Sequence, residues 1–520
     1  MAGTVPTPNR AMMRTVDLPG EGASTAFATS LAMMLRPGDM VLLEGDLGTG
    51  KTTIARALIR AVADDPELEV PSPTFTLVQP YDLPGLAISH MDFYRIEDPH
   101  EVTELGVDDA LEKGAVIIEW PERAGGMLPA GSLVIRLSEK GAGRVAEITS
   151  PDEVWSDRLE RMAAVDRFLE QSGWHSARRI RIPGDASSRR YERLVGGPEG
   201  ACALLMDMPA RPDGPPVRGS KPYSRIANLA EDIRAVEAVT TGLLEQGLSA
   251  PRIYAIDLDR GLALVEDFGS MSFNSFVRDG QDVSEQLTAA VELLADMASR
   301  DWPRSVALSD GSQYALAPYD RDALMIEAEL CLDWYWPYLT GASPDDDARA
   351  SFVAAWDAVL PLAQPANPVW VLRDFHVDNL FWLPEREGNA RVGLIDTQDC
   401  VLGHPAYDLA SLLLDVRVTF LRQVSDDYLD VYCALRGAGE DGFDEAAFRT
   451  AYAVLGAQRA TKILGIFARL ARRDGKPGYL RFLPRTSEVL EICLKHPALA
   501  PVRRWFEEHL PAVMRDRGPS

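Results

Sequence analysis

The chain of 520 residues is 46% hydrophobic and 25% charged, with a formal net charge of −25. That length suits two or three domains, and the acidic balance excludes a broad basic surface that wraps nucleic acid. Five scattered cysteines without a C-x-x-C pair (Cys202, Cys331, Cys400, Cys433, Cys493) exclude a disulfide framework and a zinc site, and predict reduced thiols in a cytoplasmic protein. The chain has no run of about 18 apolar residues, so no membrane span is expected. Met1–Met13 lack the apolar core of a signal peptide and read as a frayed tail.

Residues 15–150 read as an α/β unit. Ser24–Leu35 is predicted as a helix and Met40–Glu44 as a short apolar strand. Gly45–Thr52 reads G-D-L-G-T-G-K-T and fits G-x-x-x-x-G-K-[ST], the phosphate-binding P-loop. Thr52–Val62 follows as an amphipathic helix, so strand, glycine loop and helix stand in the required order. Successive backbone N–H groups of such a loop face one concavity, and the helix N-terminus adds positive potential. Gly45, Asp46, Leu47, Gly48, Thr49, Gly50, Lys51, Thr52 and Thr53 are the expected ATP contacts. Lys51 reaches the β/γ-phosphates, and the Thr52 hydroxyl holds Mg²⁺. Two further strands, Leu86–Ser89 and Ala115–Ile118, lead to Asp92 and Glu119, and Leu133–Leu137 with Val145–Ile148 reads as a closing hairpin.

The join lies near Ser150-Pro151-Asp152, and Val154–Gln171 is a helix opening a second unit, 155–512. A small β-rich lobe, 175–270, comprises Ile180–Ile182, the loop Gly184–Arg190, Tyr191–Val195, Ala203–Met206, a helix over Ile226–Gln246, and Leu262–Val265 running into Glu266–Gly269. A large, mainly helical lobe, 271–512, contains Leu372–Leu380, L-R-D-F-H-V-D-N-L. Asp374 and Asn379 there have the D-x-x-x-x-N spacing of a kinase catalytic loop, and Asp396 ends the next strand. Phosphoryl transfer needs a carboxylate to accept the hydroxyl proton (Asp374) and an amide oxygen and second carboxylate to hold Mg²⁺ (Asn379, Asp396). Asp408, at a helix start, is expected to hydrogen-bond the backbone of this loop. Asp345-Asp346-Asp347 reads as a solvated helix start.

The glycine loop, Ser72–Leu77, His90-x-Asp92-x-Tyr94-Arg95 and Ile118–Arg123 occur in an order that resembles the small bacterial ATPase subunit of the tRNA threonylcarbamoyladenosine system. The resemblance implies a P-loop ATPase working with threonylcarbamoyl-transfer partner proteins and, through them, tRNA, modified at N6 of adenosine 37. The residue chemistry agrees. Thr74 can sense a γ-phosphate, Asp92 is a metal carboxylate, and Glu119 is a Walker-B-type acid that orients the attacking water. Sequence leaves open which of the two carboxylates touches the metal. Trp120 can stack on a base or a partner, Ser72 and Pro73 serve as turn-formers or ligands, and His90 reads as a hydrogen-bonded structural histidine.

The Gly184–Tyr191 loop, Val265–Gly269, Leu372–Leu380, Gly393–Cys400 and Gln458–Leu470 together resemble the aminoglycoside phosphotransferase superfamily, and within it the anomeric N-acetylmuramate/N-acetylglucosamine kinases of cell-wall recycling. The expected architecture is thus an α/β P-loop NTPase domain followed by a bilobal, protein-kinase-like α+β domain. The expected activities are ATP hydrolysis and ATP-dependent phosphorylation of an amino sugar. An aminoglycoside- or choline-type kinase, and a non-catalytic regulatory nucleotide-binding module, are the alternatives for the second half. Adenine is expected against the Leu264–Asp267 hinge, with Glu266 and Phe268 in the nucleotide site.

Two departures stand out. Arg373 replaces the usual His before the catalytic Asp, and Ala203–Asp207 offers no third-strand Lys. Arg189 or Arg190, or Lys221, is expected to supply that charge. Arg459, Lys462 and Arg469 read either as a solvated cationic face or as a complement to a sugar carboxylate. Asp399 and His376 read either as structural groups or as partners of sugar hydroxyls.

Overall fold

The computed structural model describes residues 12–150, 152–182, 189–418, 421–440 and 442–517. The Gly184–Ser188 part of the expected phosphate loop, and Met1–Ala11 of the expected tail, lie outside the described residues. The chain divides into two compact units: one runs to Asp207 and includes Leu262–Leu264, and the other comprises 208–261 and 265–520.

The first unit is built on a seven-stranded sheet: β1 (Met12–Leu18), β2 (Met40–Glu44), β3 (Val78–Tyr81), β4 (Ala87–Asp92), β5 (Gly114–Glu119), β6 (Leu133–Lys140) and β7 (Gly143–Ser150). Their order across the sheet is β1-β7-β6-β2-β5-β4-β3. β2 runs parallel to both β5 and β6, and β4 runs parallel to β5. Both faces of β2 and β5 are covered, which is why these strands read as continuous apolar runs. Val41, Leu43 and Ile117 join the core under α1 (Glu21–Ala32) and α2 (Lys51–Ala63), while Met40, Leu42 and Ile118 face the opposite core with Met91 and Phe93.

Two strands depart from the expectation. Met12 and Met13 are not frayed: β1 pairs with β7 along its full length, from Met12 opposite Ser150 to Leu18 opposite Arg144. β3 contains Pro80, which argues against a strand from sequence, but β3 is the edge strand, where a missing N–H is tolerated.

A helix, α3 (Val107–Lys113), precedes β5, and α4 (Glu153–Gln171) follows β7. The Asp152 side chain caps α4 by accepting from the Trp155 N–H at 2.8 Å. Trp155, Leu159 and Met162 form its apolar stripe and join the core beneath α1 and α2. The same helix is tied by charge to a meander of β8 (Arg178–Ile182), β9 (Arg190–Val195) and β10 (Cys202–Asp207), also in this unit. Arg179 of β8 forks onto Glu192 at 2.6 and 3.0 Å and also reaches Asp166 of α4 at 2.9 Å and Ser30 of α1 at 3.0 Å. Arg158 holds Asp39 at 2.7 Å, and Arg161 holds Asp207 at 2.6 Å.

The second unit is mainly helical around one large core. Its centre is the long helix Glu445–Arg472, which passes so close to the Leu330 carbonyl that a Cβ on Gly465 would lie 2.4 Å from that oxygen. Two antiparallel strand pairs carry the catalytic segment: Val369–Val371 pairs with Val401–Gly403, and Leu380–Trp382 with Val392–Leu394. The helix expected over Ile226–Gln246 is divided into Tyr223–Ile226 and Arg234–Glu245. Asn228, at φ +52°, breaks it. Asp345 is a helix cap, accepting from the Ala348 N–H at 2.8 Å, as the solvated-start reading implied. No helix among the described residues is long and apolar enough to cross a membrane.

Candidate active sites

The P-loop leaves the C-terminal end of β2. Gly45, at φ +136°, is required there, because a Cβ would stand 2.4 Å from the Leu137 carbonyl oxygen. Gly48 and Gly50 also have positive φ, and space around their would-be Cβ positions is open. Lys51 begins α2 and folds back over the loop, donating to the Gly45 carbonyl at 2.6 Å and the Asp46 carbonyl at 2.9 Å. Its ammonium lies 3.7 Å from the centre of the Trp120 ring. Burial lowers its pKa, against the pull of Glu119, Glu122, Asp92 and Asp46.

Asp92 and Glu119 are register partners at the ends of β4 and β5, and their partners differ. Glu119 accepts from the Thr52 hydroxyl at 2.8 Å and meets His90 Nε2 at 2.9 Å on its other oxygen. His90 must therefore carry its proton on Nε2 to donate there. Asp92 accepts from the hydroxyls of Ser72 and Thr74, each at 2.7 Å, and from the Tyr94 N–H at 2.9 Å. Glu119 thus sits on the hydroxyl expected to hold the metal, and Asp92 on the hydroxyl expected to sense phosphate. Thr53 lies one residue further along α2 and lines a groove shared with α1 and α4. Leu47 and Phe75 are 77% and 80% exposed, and Arg95 stacks 4.1 Å from the Phe75 ring.

In the second unit, Asp408 accepts the Leu372 N–H at 2.7 Å and the Arg373 N–H at 2.9 Å, which makes it the brace of the catalytic loop. Burial raises its pKa to about 7, against those two hydrogen bonds. The brace holds Arg373 at φ +68°, a conformation that turns the chain sharply into Asp374. The Asn379 amide nitrogen donates to the Asp374 carbonyl at 3.0 Å, which turns its oxygen away from that bond. Asp396, at φ +58°, follows the strand Val392–Leu394 and accepts from Gln398 at 2.9 Å. Among the described residues, no group donates a hydrogen bond to the Asp374 carboxylate. Burial works against its charge, yet Lys462, His376, Arg459 and Arg373 together keep its pKa below the ordinary value. Burial, reinforced by Arg417, pushes His376 down to about 4, so its ring is neutral at physiological pH.

Arg373, the residue in place of the usual His, is a structural strut. Its guanidinium donates to the carbonyls of Ala227 at 2.9 Å and Asn228 at 3.2 Å, and pairs with Glu327. The helix break at Asn228 presents those carbonyls, and Asp399 secures the same turn by accepting the Ala230 N–H at 2.6 Å. That hydrogen bond supports the structural reading of Asp399. Glu327 is fully buried and also receives Lys462 at 2.8 Å and the Tyr319 hydroxyl. Sequence reasoning missed Glu327, which stands 46 residues before Arg373 with no motif around it. Glu327→Ala would leave Arg373 and Lys462 buried without their counter-charge. The expected loss is about 3–5 kcal/mol of stability, read as a lower thermal midpoint for the second unit, with Glu327→Gln losing less.

The cationic stripe of the long helix faces inward. Arg459 is buried, Lys462 is held by Glu327, and Arg469 lies 5.7 Å from the Tyr223 ring. Glu266 is held by Arg386 at 2.5 Å, and Arg386 also stacks 5.2 Å from Phe268. Arg189 belongs to the first unit, where it directly precedes β9; its neighbour Arg190 pairs with Asp207 at 3.0 Å. Lys221 is exposed.

These two constellations define a P-loop nucleotide site and a kinase-type phosphotransfer site, and comparison with known proteins agrees. Residues 18–146 match the family described as threonylcarbamoyl adenosine biosynthesis protein TsaE, and residues 178–449 match the phosphotransferase enzyme family. An N-acetylmuramate/N-acetylglucosamine kinase of Caulobacter vibrioides is 38% identical over 363 residues, which is 68% of this chain and 98% of that protein. A tRNA threonylcarbamoyladenosine biosynthesis protein TsaE of Rickettsia bellii is 38% identical over 120 residues, 23% of this chain and 83% of that protein. A crystal structure of an aminoglycoside phosphotransferase aligns with 63% of this chain and 98% of its own at 15% identity and a TM-score of 0.39. The chain belongs to the TsaE family through its first part and to the phosphotransferase enzyme family, alongside the N-acetylmuramate/N-acetylglucosamine kinases, through its second.

Proposed function

We propose that the chain is bifunctional. Its P-loop part hydrolyses ATP in support of N6-threonylcarbamoyladenosine formation at position 37 of tRNA, together with threonylcarbamoyl-transfer proteins. Its second part is an ATP-dependent kinase that phosphorylates the anomeric hydroxyl of N-acetylmuramate and N-acetylglucosamine. The observation that carries the kinase reading is Asp374: a carboxylate held ionised by surrounding cations and engaged by no donor among the described residues, beside Asn379 and Asp396. Asp374 accepts the proton of the attacking hydroxyl.

The donor sets suit Mg²⁺, a hard cation that takes oxygen ligands. The Thr52 hydroxyl, paired with Glu119, and Asp92, the register partner of Glu119, offer oxygens in the first part, and the Asn379 amide oxygen with Asp396 offers them in the second. When bound, the ion neutralises charge on the phosphates. Glu266, the last residue of the strand Leu262–Glu266, and Phe268, two residues further on, are the proposed nucleotide contacts of the kinase part. In the P-loop part, the exposed Leu47 and Phe75 beside the site fit contact with a partner protein.

The test uses the full chain with ATP, Mg²⁺ and each sugar, followed by phosphorus NMR. A sugar 1-phosphate is expected, and a 6-phosphate overturns the anomeric assignment. ATP turnover by the P-loop part should rise when threonylcarbamoyl-transfer proteins are added, and an unchanged rate counts against that partnership.

A further inference from the structure

Of the cations around Asp374, one has no acceptor among the described residues. Lys462 and Arg373 share Glu327. Arg417 is held by Asp415 and Asp378, each at 3.2 Å. Arg469 is stacked on Tyr223. Arg459 is 6% exposed, yet no group among the described residues accepts a hydrogen bond from it or pairs with it. Its guanidinium offers five donors in a planar fork to an incoming acceptor. Arg459 lies about one turn before Lys462 on the long helix, and Lys462 shares Glu327 with Arg373, the residue that directly precedes Asp374.

The geometry points to Arg459 as the residue that distinguishes an acidic from a neutral amino sugar: we propose that its guanidinium receives the lactyl carboxylate of N-acetylmuramate while the anomeric hydroxyl faces Asp374. This rests on the kinase reading above. The two sugars named for the relatives share the reducing-end hydroxyl and differ in the lactyl ether. A carboxylate is the partner a planar guanidinium fork matches, by two parallel hydrogen bonds. The position also fits. Arg459 comes from the long helix, which supplies neither proposed metal ligand. The neighbouring side chains on the helix fix this one: Gln458 donates to the Leu324 carbonyl at 2.9 Å, and Lys462 is anchored on Glu327, so the stripe cannot rotate away.

The experiment compares kcat/KM for N-acetylmuramate and N-acetylglucosamine in the full-length wild type, Arg459→Met and Arg459→Lys. In Arg459→Met the N-acetylmuramate value should fall at least tenfold more than the N-acetylglucosamine value, mainly through KM. Arg459→Lys, which keeps the charge but not the fork, should fall in between, and it carries the test if Arg459→Met fails to fold. Equal losses on both sugars, the result expected of a guanidinium that serves the transferred phosphoryl group or the fold, overturn the proposal, as does no change on either. A wild type that phosphorylates neither sugar instead overturns the kinase reading itself.

Discussion

Replacing Asp374 by Asn lowers the kinase kcat by roughly 10²–10⁴, the usual loss when a positioned base is removed, while affinity for ATP stays nearly intact. The split follows from the local structure. The Asp374 carbonyl, not its carboxylate, accepts from Asn379, so the amide replacement leaves that bond in place. The brace from Asp408 acts on Leu372 and Arg373 and is also untouched. Only the proton acceptor is lost. The pH profile of the wild type supplies a second readout. The base works ionised, and surrounding cations hold its pKa below the ordinary carboxylate value. Activity is therefore retained above that depressed pKa and lost as pH falls through it, so the acid limb assigned to Asp374 lies below the usual carboxylate range. Full activity in Asp374→Asn removes Asp374 from the mechanism.

Lys51→Ala abolishes ATP hydrolysis by the first part and leaves sugar phosphorylation in place. Lys51 is the cation at the start of α2, it already spans the loop that is to hold the phosphates, and burial lowers its pKa. Without it, the β/γ-phosphates lose their main positive partner. The loop's shape should survive, because its turns are set by Gly45, Gly48 and Gly50 and by the Thr49 hydroxyl bonding the Asp46 carbonyl at 2.8 Å. Lys51 and Asp374 belong to different compact units. Loss of both activities in a folded Lys51→Ala protein contradicts the two-site reading.

What the sequence made legible was local chemistry. The P-loop, the strand-end acids Asp92 and Glu119, and the D-x-x-x-x-N loop are each contained in a short segment whose spacing is itself the constraint. What it hid was pairing over distance. Nothing near Glu327 marks it as the counter-ion of Arg373 and Lys462, so Arg373 read as a departure from a pattern rather than as a strut. The run Ile226–Gln246 is apolar and helix-forming, and only its tertiary partners, the Arg373 guanidinium and Asp399, account for the turn in its middle. β3 was hidden because a proline is tolerated on an edge that only the assembled sheet reveals.

The ties made by α4 bear on how the chain can be cut. A fragment beginning after Gln171 would keep Arg179 and Glu192 but lose Asp166 and Ser30, and Asp207 would lose Arg161. A fragment ending at Ser150 would leave Asp39 without Arg158, and uncover the apolar ground on which Trp155, Leu159 and Met162 rest. The connecting helix is therefore shared masonry rather than a tether, and either truncation exposes a seam that the intact polypeptide keeps closed.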